Sequence, residues 1–340
     1  MRDRQEEGRL SEQRTRRSTG RRPLPLVAAL DLGTNNCRLL VAQSTRRGEL
    51  RVVDSFSRIV RLGEGVAERG VLSDAAIART LEALKICAGR LRTNRVRRLR
   101  AVATEACRRA SNAQVLVDRA QAETGIALEI ITADEEARLA AVGCAPLLDP
   151  NAEGGLVFDI GGGSTEIIWM KRDGAAKAQV VAATSQPLGV VTLAESWRDG
   201  PLDRDGYGRL RERLIAHLAP VKARMEANGP FDPSAHHLLG TSGTVTTLAA
   251  IALGLPRYDR ARVDASWHAC ADIEAVIARL LDLDLEGRAR VGCVGPDRAD
   301  LIVPGCAIFS AIHALWPCAR LRVADRGLRE GMLRELMGRT

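Results

Sequence analysis

The sequence predicts an α/β protein of two lobes around a central cleft, and three observations carry that expectation. A hydrophobic strand, a polar glycine-bearing turn and a second hydrophobic strand occur twice, with the aspartates Asp31 and Asp159 in matching places. Such an internal repeat divides the chain into two comparable units. Each copy is followed by alternating strand and helix patterns, which implies sheets covered by helices. The 340 residues leave room for two domains at ~150 residues each, and 46% hydrophobic with 27% charged residues is the balance of a packed globular chain.

The elements follow in order. Leu26–Leu30 is apolar, Asp31-Leu32-Gly33-Thr34-Asn35-Asn36 interrupts it, and Cys37–Ala42 is apolar again, so the segment reads as a hairpin with a polar tip. Ser73 caps a helix to about Leu91 whose apolar stripe is Ile77, Leu81, Leu84 and Ile86. Leu99–Thr104 reads as a strand, Gln114–Glu123 as a helix and Ala127–Ile131 as a strand. Thr132 then opens a helix to about Val142. Leu147–Gly155, with Pro150 and two glycines, reads as a linker. Leu156–Phe158, the turn Asp159-Ile160-Gly161-Gly162-Gly163-Ser164-Thr165-Glu166 and Ile167–Met170 form the second hairpin. His237–Leu239 is a short strand, Gly240–Thr244 a turn and Val245–Ala252 a helix. The chain is mostly helical to about Leu315, then Leu321–Val323 is a strand and Leu328–Leu336 a closing helix. The expected division is a disordered Arg-rich tail over 1–24, a first lobe over 25–140 and a second over 141–340, with the last helix packing back on the first lobe.

Composition excludes several functions. No apolar run approaches the ~20 residues of a membrane helix, and the polar stretch Met1–Arg22 has no secretory h-region. A cytoplasmic protein is expected, its eight scattered cysteines reduced. No Cys-x-x-Cys or His-x-x-x-His pair suggests zinc, so any metal takes oxygen ligands, which suits Mg²⁺ or Mn²⁺. The net charge of +8 owes half its excess to the eight arginines and four acids of residues 1–22, and aromatics are only 3%. That is too few for a base-stacking platform, so nucleic acid is not the expected partner.

Four places carry chemistry. Glycine turns bring backbone N–H groups close to an anion. An aspartate at each tip would repel phosphate unless it holds a cation, so Asp31 and Asp159 across a cleft suggest a Mg²⁺–polyphosphate site. Either motif alone reads as a turn, but the repeat and the Gly161–Gly163 run favour a site. Gly240-Thr241-Ser242-Gly243-Thr244 precedes a helix, where N–H groups and the dipole seat phosphate; a turn capped by Ser242 or Thr244 is the plainer alternative. Thr132 and Glu135 fit a capping box, which leaves Glu136 beside Ala140 and Gly143 as a candidate general base. Arg108, at a strand end in Thr104-Glu105-Ala106-Cys107-Arg108, could hold a phosphate oxygen, although arginine is abundant throughout.

Together these segments resemble a family. Asp31-Leu32-Gly33-Thr34-Asn35 with Phe158–Glu166 resembles the acetate kinase/sugar kinase/heat-shock/actin superfamily. Ile131–Leu139, Gly240–Thr244 and Asp325-Arg326-Gly327-Leu328-Arg329-Glu330-Gly331 narrow the resemblance to the exopolyphosphatase/guanosine pentaphosphate phosphohydrolase (Ppx/GppA) family. It implies two ribonuclease H-like, actin-like lobes and hydrolysis of terminal phosphoanhydride bonds in polyphosphate or guanosine pentaphosphate. It further implies Glu136 as base, Arg108 as phosphate contact, and Asp159 and Glu166 as metal- and water-positioning residues. Asp31, Gly33, Thr34, Asn35, Gly161, Gly162, Gly163, Ser164, Gly240, Ser242, Gly243 and Thr244 would line the phosphates. The chain ends soon after Gly331, where longer members continue into a helical domain, so the short form is expected; a homodimer is compatible with it. A kinase of the same superfamily and a non-catalytic guanosine tetra- or pentaphosphate sensor are the alternatives.

Overall fold

The computed structural model describes residues 25–45, 50–173, 177–227 and 229–338; the expected tail over 1–24 lies outside the described residues. Two mixed sheets carry the fold. The first contains β1 (Val27–Leu32), β2 (Asn36–Ser44), β3 (Leu50–Ile59), β4 (Arg98–Ala103) and β5 (Glu129–Ile130), ordered β3-β2-β1-β4-β5. The second contains β6 (Gly154–Ile160), β7 (Thr165–Asp173), β8 (Lys177–Gln186), β9 (His236–Thr241), β10 (Trp267–Ala269) and β11 (Arg320–Ala324), ordered β10-β11-β9-β6-β7-β8. In both, an antiparallel three-stranded meander is extended by two parallel strands. The repeat therefore extends from the hairpins to the whole topology, with β10 added at one edge. The expected α/β fold of two lobes is the fold found.

Helices cover both faces of each sheet, so the central strands are apolar throughout. β1 and β6 are buried at every position but one, and those two half-open positions are Asp31 and Asp159. Ala28, Leu30 and Leu32 pack on one side against Leu81 and Leu84 of the Asp74–Thr93 helix and Leu116 of the Ala113–Thr124 helix. Leu156 and Phe158 pack likewise against the Arg204–Met225, Ser242–Ala252 and Ile302–Leu315 helices.

The opposite faces are covered crosswise. The Ala133–Cys144 helix follows β5 of the first sheet, yet its Ala137, Ala140 and Ala141 pack on Val157, Ile168 and Leu239 of the second. The Leu328–Leu336 helix follows β11 of the second sheet, yet its Leu328, Met332 and Leu333 pack on Val27, Ala29 and Val102 of the first. The expected division at 140/141 thus falls inside a helix shared between the lobes. Where these two helices meet, glycine is required. A Cβ on Gly143 would stand 2.0 Å from the Gly327 carbonyl oxygen, and one on Gly331 would stand 2.1 Å from the Leu139 carbonyl oxygen. Backbone-to-backbone contact fixes the helix that carries Glu136.

Three expectations are corrected. Ile86 is exposed rather than part of the stripe, because Cys87 and Ala88 continue the buried face of the Asp74–Thr93 helix. Gly154 and Gly155 belong to β6, not to a linker, and a Cβ on Gly154 would stand 2.1 Å from the Met170 carbonyl oxygen. Glu135 does not complete a capping box. Thr132 Oγ1 accepts the Glu135 N–H at 3.2 Å, but the Glu135 carboxylate turns outward to Arg138 (2.7 Å) and Arg100 (2.8 Å). Those arginines also reach Glu335, tying β4, this helix and the last helix together.

Candidate active site

The two hairpin tips meet across the cleft. In each, a glycine N–H donates to a residue three positions on: Gly33 to the Asn36 carbonyl and Gly161 to the Ser164 carbonyl, both at 2.9 Å. The glycine-rich tip packs directly on the other, since a Cβ on Gly163 would stand 2.5 Å from Thr34 Oγ1 and one on Gly162 3.1 Å from the Asn35 nitrogen. The carbonyls of Gly161 and Gly162 accept N–H groups at the start of the Val190–Ser196 helix, at 3.0 and 2.9 Å, so that edge of the turn is occupied by protein. Gly161, Gly162 and Gly163 themselves line the pocket.

Asp31, Glu136, Asp159 and Glu166 line this one pocket together with Gly33, Thr34, Asn35, Ser164 and Ser242. The repeat explains part of the geometry. Asp159 faces Glu166 in the β6–β7 register, while its equivalent Asp31 faces Arg38 in the β1–β2 register. Such directly opposed side chains interact, so the second hairpin opposes two acids where the first pairs an acid with a base. Burial pushes the Asp159 carboxyl up to about 6, with Arg38 opposing and Asp31 reinforcing. Burial and then Asp159 push Glu166 up to about 7, against hydrogen bonds from Ser185 Oγ (2.7 Å) and Ser164 Oγ (2.8 Å). Burial likewise raises Asp31. Glu136 is raised well above the ordinary carboxylate range, first by burial and then by Glu166, although Arg108 donates to its Oε2 at 2.7 Å. The ion pair is real in geometry, but one guanidinium shared with Glu105 does not offset desolvation plus a neighbouring acid.

A helix start completes the floor. Thr241 occupies the cap position of the Ser242–Ala252 helix, but its hydroxyl donates to the Arg326 carbonyl at 2.8 Å. No side-chain bond caps this helix start, and Ser242, Gly243 and Thr244 there line the cleft. Ser242 sits at φ +78°, a strained conformation for a residue with a Cβ and one that clusters at functional sites. Gly243 and Thr244 line the adjoining pocket with Asn36, Arg38 and Arg298.

Several expected residues have different work. Gly240 is a packing residue inside β9, where a Cβ would stand 2.6 Å from the Phe158 ring, so it does not reach the cleft. The Ser164 hydroxyl is committed to Glu166. The Thr34 side chain is wedged against Gly63 and Gly163. Arg108 pairs with both Glu136 and Glu105, which leaves one of its N–H groups uncommitted. Sequence reasoning also missed Arg38, Arg298 and Arg329, which line the connected pockets and, among the described residues, have no carboxylate within ion-pair distance. Arginine abundance hid them. The position of Arg38 opposite Asp31 was the available signal. The Oδ1 atoms of Asn35 and Asn36 are buried without a partner at the same mouth.

The donor set fits a hard cation. Four crowded, desolvated carboxylates gain from added positive charge, and every donor is oxygen. Among the described residues no group of three or more His, Cys, Asp or Glu is placed to hold a metal ion by itself. One or two carboxylates supplemented by water and phosphate oxygens is the habit of Mg²⁺ rather than of zinc or calcium.

Known proteins resemble this chain in sequence and fold. The model of the Ppx/GppA phosphatase family matches residues 40–340. Exopolyphosphatase 2 of Mycobacterium tuberculosis is 37% identical over 302 residues, covering 85% of this chain and 90% of that protein. A guanosine-5'-triphosphate,3'-diphosphate pyrophosphatase of Vibrio atlanticus is 30% identical over 318 residues, covering 92% of this chain and 59% of that longer protein. The crystal structure of the Aquifex aeolicus Ppx/GppA family member superposes with a TM-score of 0.76 at 32% identity, covering 93% of this chain and 99% of that one.

Proposed function

The chain belongs to the Ppx/GppA phosphatase family, and we propose that it hydrolyses the terminal phosphoanhydride bond of inorganic polyphosphate or guanosine pentaphosphate with water activated by Glu136. The observation that carries the reading is the placement of Glu136. Thr132 starts its helix at the cleft, Gly143 and Gly331 lock that helix by backbone contact, and the carboxylate enters the pocket between two glycine turns. Desolvation raises its proton affinity, which suits a group that must take a proton from water near neutral pH.

The terminal phosphate would lie on the N–H groups of the Gly33–Asn35 and Gly161–Gly163 turns and the start of the Ser242–Ala252 helix. Glu136 would remove a proton from water as its oxygen attacks phosphorus, and the shortened chain would leave on its own phosphate oxygen. Arg108 would steady the attacked phosphate from beside Glu136. Asp159 and Glu166 would hold Mg²⁺ or Mn²⁺, with the Ser164 and Ser185 hydroxyls fixing the Glu166 carboxylate. When bound, the metal neutralises charge on the phosphate oxygens. Arg38, Arg298 and Arg329 would take the phosphates beyond the reacting one. Both substrates offer the same reacting end, which is why one site suits both.

The test is phosphate release from long-chain polyphosphate, tripolyphosphate and guanosine pentaphosphate with Mg²⁺, for wild type and Glu136→Gln. Turnover of the variant should fall by ~10²–10⁴-fold, the usual value of a positioned general base, while substrate affinity holds. Binding without release in the wild type would establish a sensor instead. Transfer to an added alcohol would establish a kinase.

A further inference from the structure

Glu105 opens the short Glu105–Arg109 helix directly after β4 and lines the pocket, its side chain 16% exposed. Its Oε2 accepts from Arg108 twice, from Nε at 3.1 Å and Nη2 at 2.9 Å. Arg108 Nη1 donates to Glu136 Oε2 at 2.7 Å and to the Ile131 carbonyl at 3.1 Å. Of the five N–H groups of a guanidinium, all but one on Nη2 are thereby committed. The planar fork cannot turn without breaking these bonds. On its other side the Glu105 stem lies against the glycine turn of the opposite lobe, where a Cβ on Gly163 would stand 2.9 Å from Glu105 Cγ.

An exposed pair at this spacing would contribute little. This one is enclosed and has a competitor, because Glu136 is a second carboxylate within reach of the same guanidinium. Without Glu105, Nε and Nη2 lose their acceptor and the fork can swing onto Glu136 as a two-bond clamp. A base clamped on both oxygens has its two syn lone pairs taken and keeps only the less basic anti pairs for water.

We propose that Glu105 is a positioning residue that holds Arg108 away from full pairing with Glu136, so that the base stays available and the remaining guanidinium N–H stays free for phosphate. The proposal rests on the roles given above to Glu136 and Arg108. Because it concerns the geometry of one acceptor, length should matter more than charge. Glu105→Gln keeps an oxygen in place, whereas Glu105→Asp keeps the charge but draws it back by one methylene.

The experiment measures kcat and KM for tripolyphosphate in wild type, Glu105→Gln, Glu105→Asp, Glu105→Ala, Arg108→Ala and Glu105→Ala/Arg108→Ala, with thermal unfolding of each and Glu136→Gln alongside. Glu105→Asp and Glu105→Ala should lose ~10–100-fold in kcat, the scale of an ångström-level misplacement, with KM changed by less than about threefold. Glu105→Gln should recover most of that loss. In the Arg108→Ala background, removal of Glu105 should add less than about twofold, as expected when one residue acts through the other. If Glu105→Ala does not fold, Glu105→Asp against Glu105→Gln carries the test. The proposal is overturned if Glu105→Asp matches wild type, if Glu105→Gln is as damaged as Glu105→Asp, or if the losses multiply in the double variant. If Glu136→Gln loses turnover and Glu105→Asp does not, this proposal alone fails. If Glu136→Gln is as active as wild type, the underlying reading fails as well.

Discussion

Asp159→Asn should stabilise the protein, and should do so only above acid pH. In the folded protein burial pushes the Asp159 carboxyl up to about 6 from an ordinary value of 3.8. A little over two units at ~1.4 kcal/mol each amounts to about 3 kcal/mol of destabilisation once the group is ionised in both states. The sign follows from proton counting. Between pH 4 and 6 the native state holds a proton that the unfolded chain has released, so unfolding free energy falls as pH rises through that window. Asparagine has no such proton and nearly the same shape. Urea unfolding without divalent metal, from pH 4 to 7.5, should therefore show the variant gaining on wild type from about zero to about 3 kcal/mol, with most of the change below pH 6.5. Mg²⁺ at pH 7.5 should then stabilise wild type more than the variant, since a ligand that binds only the native state adds its binding free energy to stability. A difference that is flat with pH, or a variant that loses stability at pH 7.5, would refute the claim that this carboxylate is held against its solvation.

Two further outcomes separate neighbours on the crossed helices. Arg138 and then Arg100 pull Glu135 down to about 2 against the opposing effect of burial, so its contribution is present above pH 4.5 and lost as pH falls toward 2. Glu135→Gln should cost about 2 kcal/mol at pH 7, less than the full shift implies because solvent screens part of the pair; phosphate release should stay within about twofold of wild type, and a dead Glu135→Gln enzyme would reverse the roles of the two glutamates. Gly331→Ala should cost about 2 kcal/mol or more, since the new methyl meets a backbone oxygen rather than a flexible side chain. Its melting curve and turnover should fall together, and a wild-type melting temperature would show that the helices can part.

Much of the site is legible in the sequence because its parts are local. A strand, a glycine turn and a return strand announce themselves within seventeen residues, Leu26 to Ala42, and the repeat supplies the second copy. Thr132 starts its helix as its side chain and position imply, but the capping box expected to set Glu135 apart from Glu136 does not form; Arg138 and Arg100 draw Glu135 away instead. The long third strands β3 and β8 are not legible in this way. They lie at sheet edges, β3 with many exposed positions and β8 mostly half-buried, so their apolar alternation is weak. Gly240 misleads because a glycine before a helix looks the same whether it faces an anion or the ring of Phe158.

The sequence by itself determined the repeated hairpins, the acid at each tip, the helix start beneath Glu136 and the family these features resemble. Each depends on residues close enough in the chain to constrain one another through turn geometry and periodicity. The partners were decided only by tertiary structure: Glu135 with Arg100, Arg108 between Glu105 and Glu136, Glu166 crowded by Asp159 and Glu136, and three arginines gathered at the mouth. These depend on how two sheets and two crossed helices close on each other, which glycine-to-carbonyl contacts between distant segments set. Desolvation has the same origin, because a carboxylate feels burial only when the second lobe has removed its water.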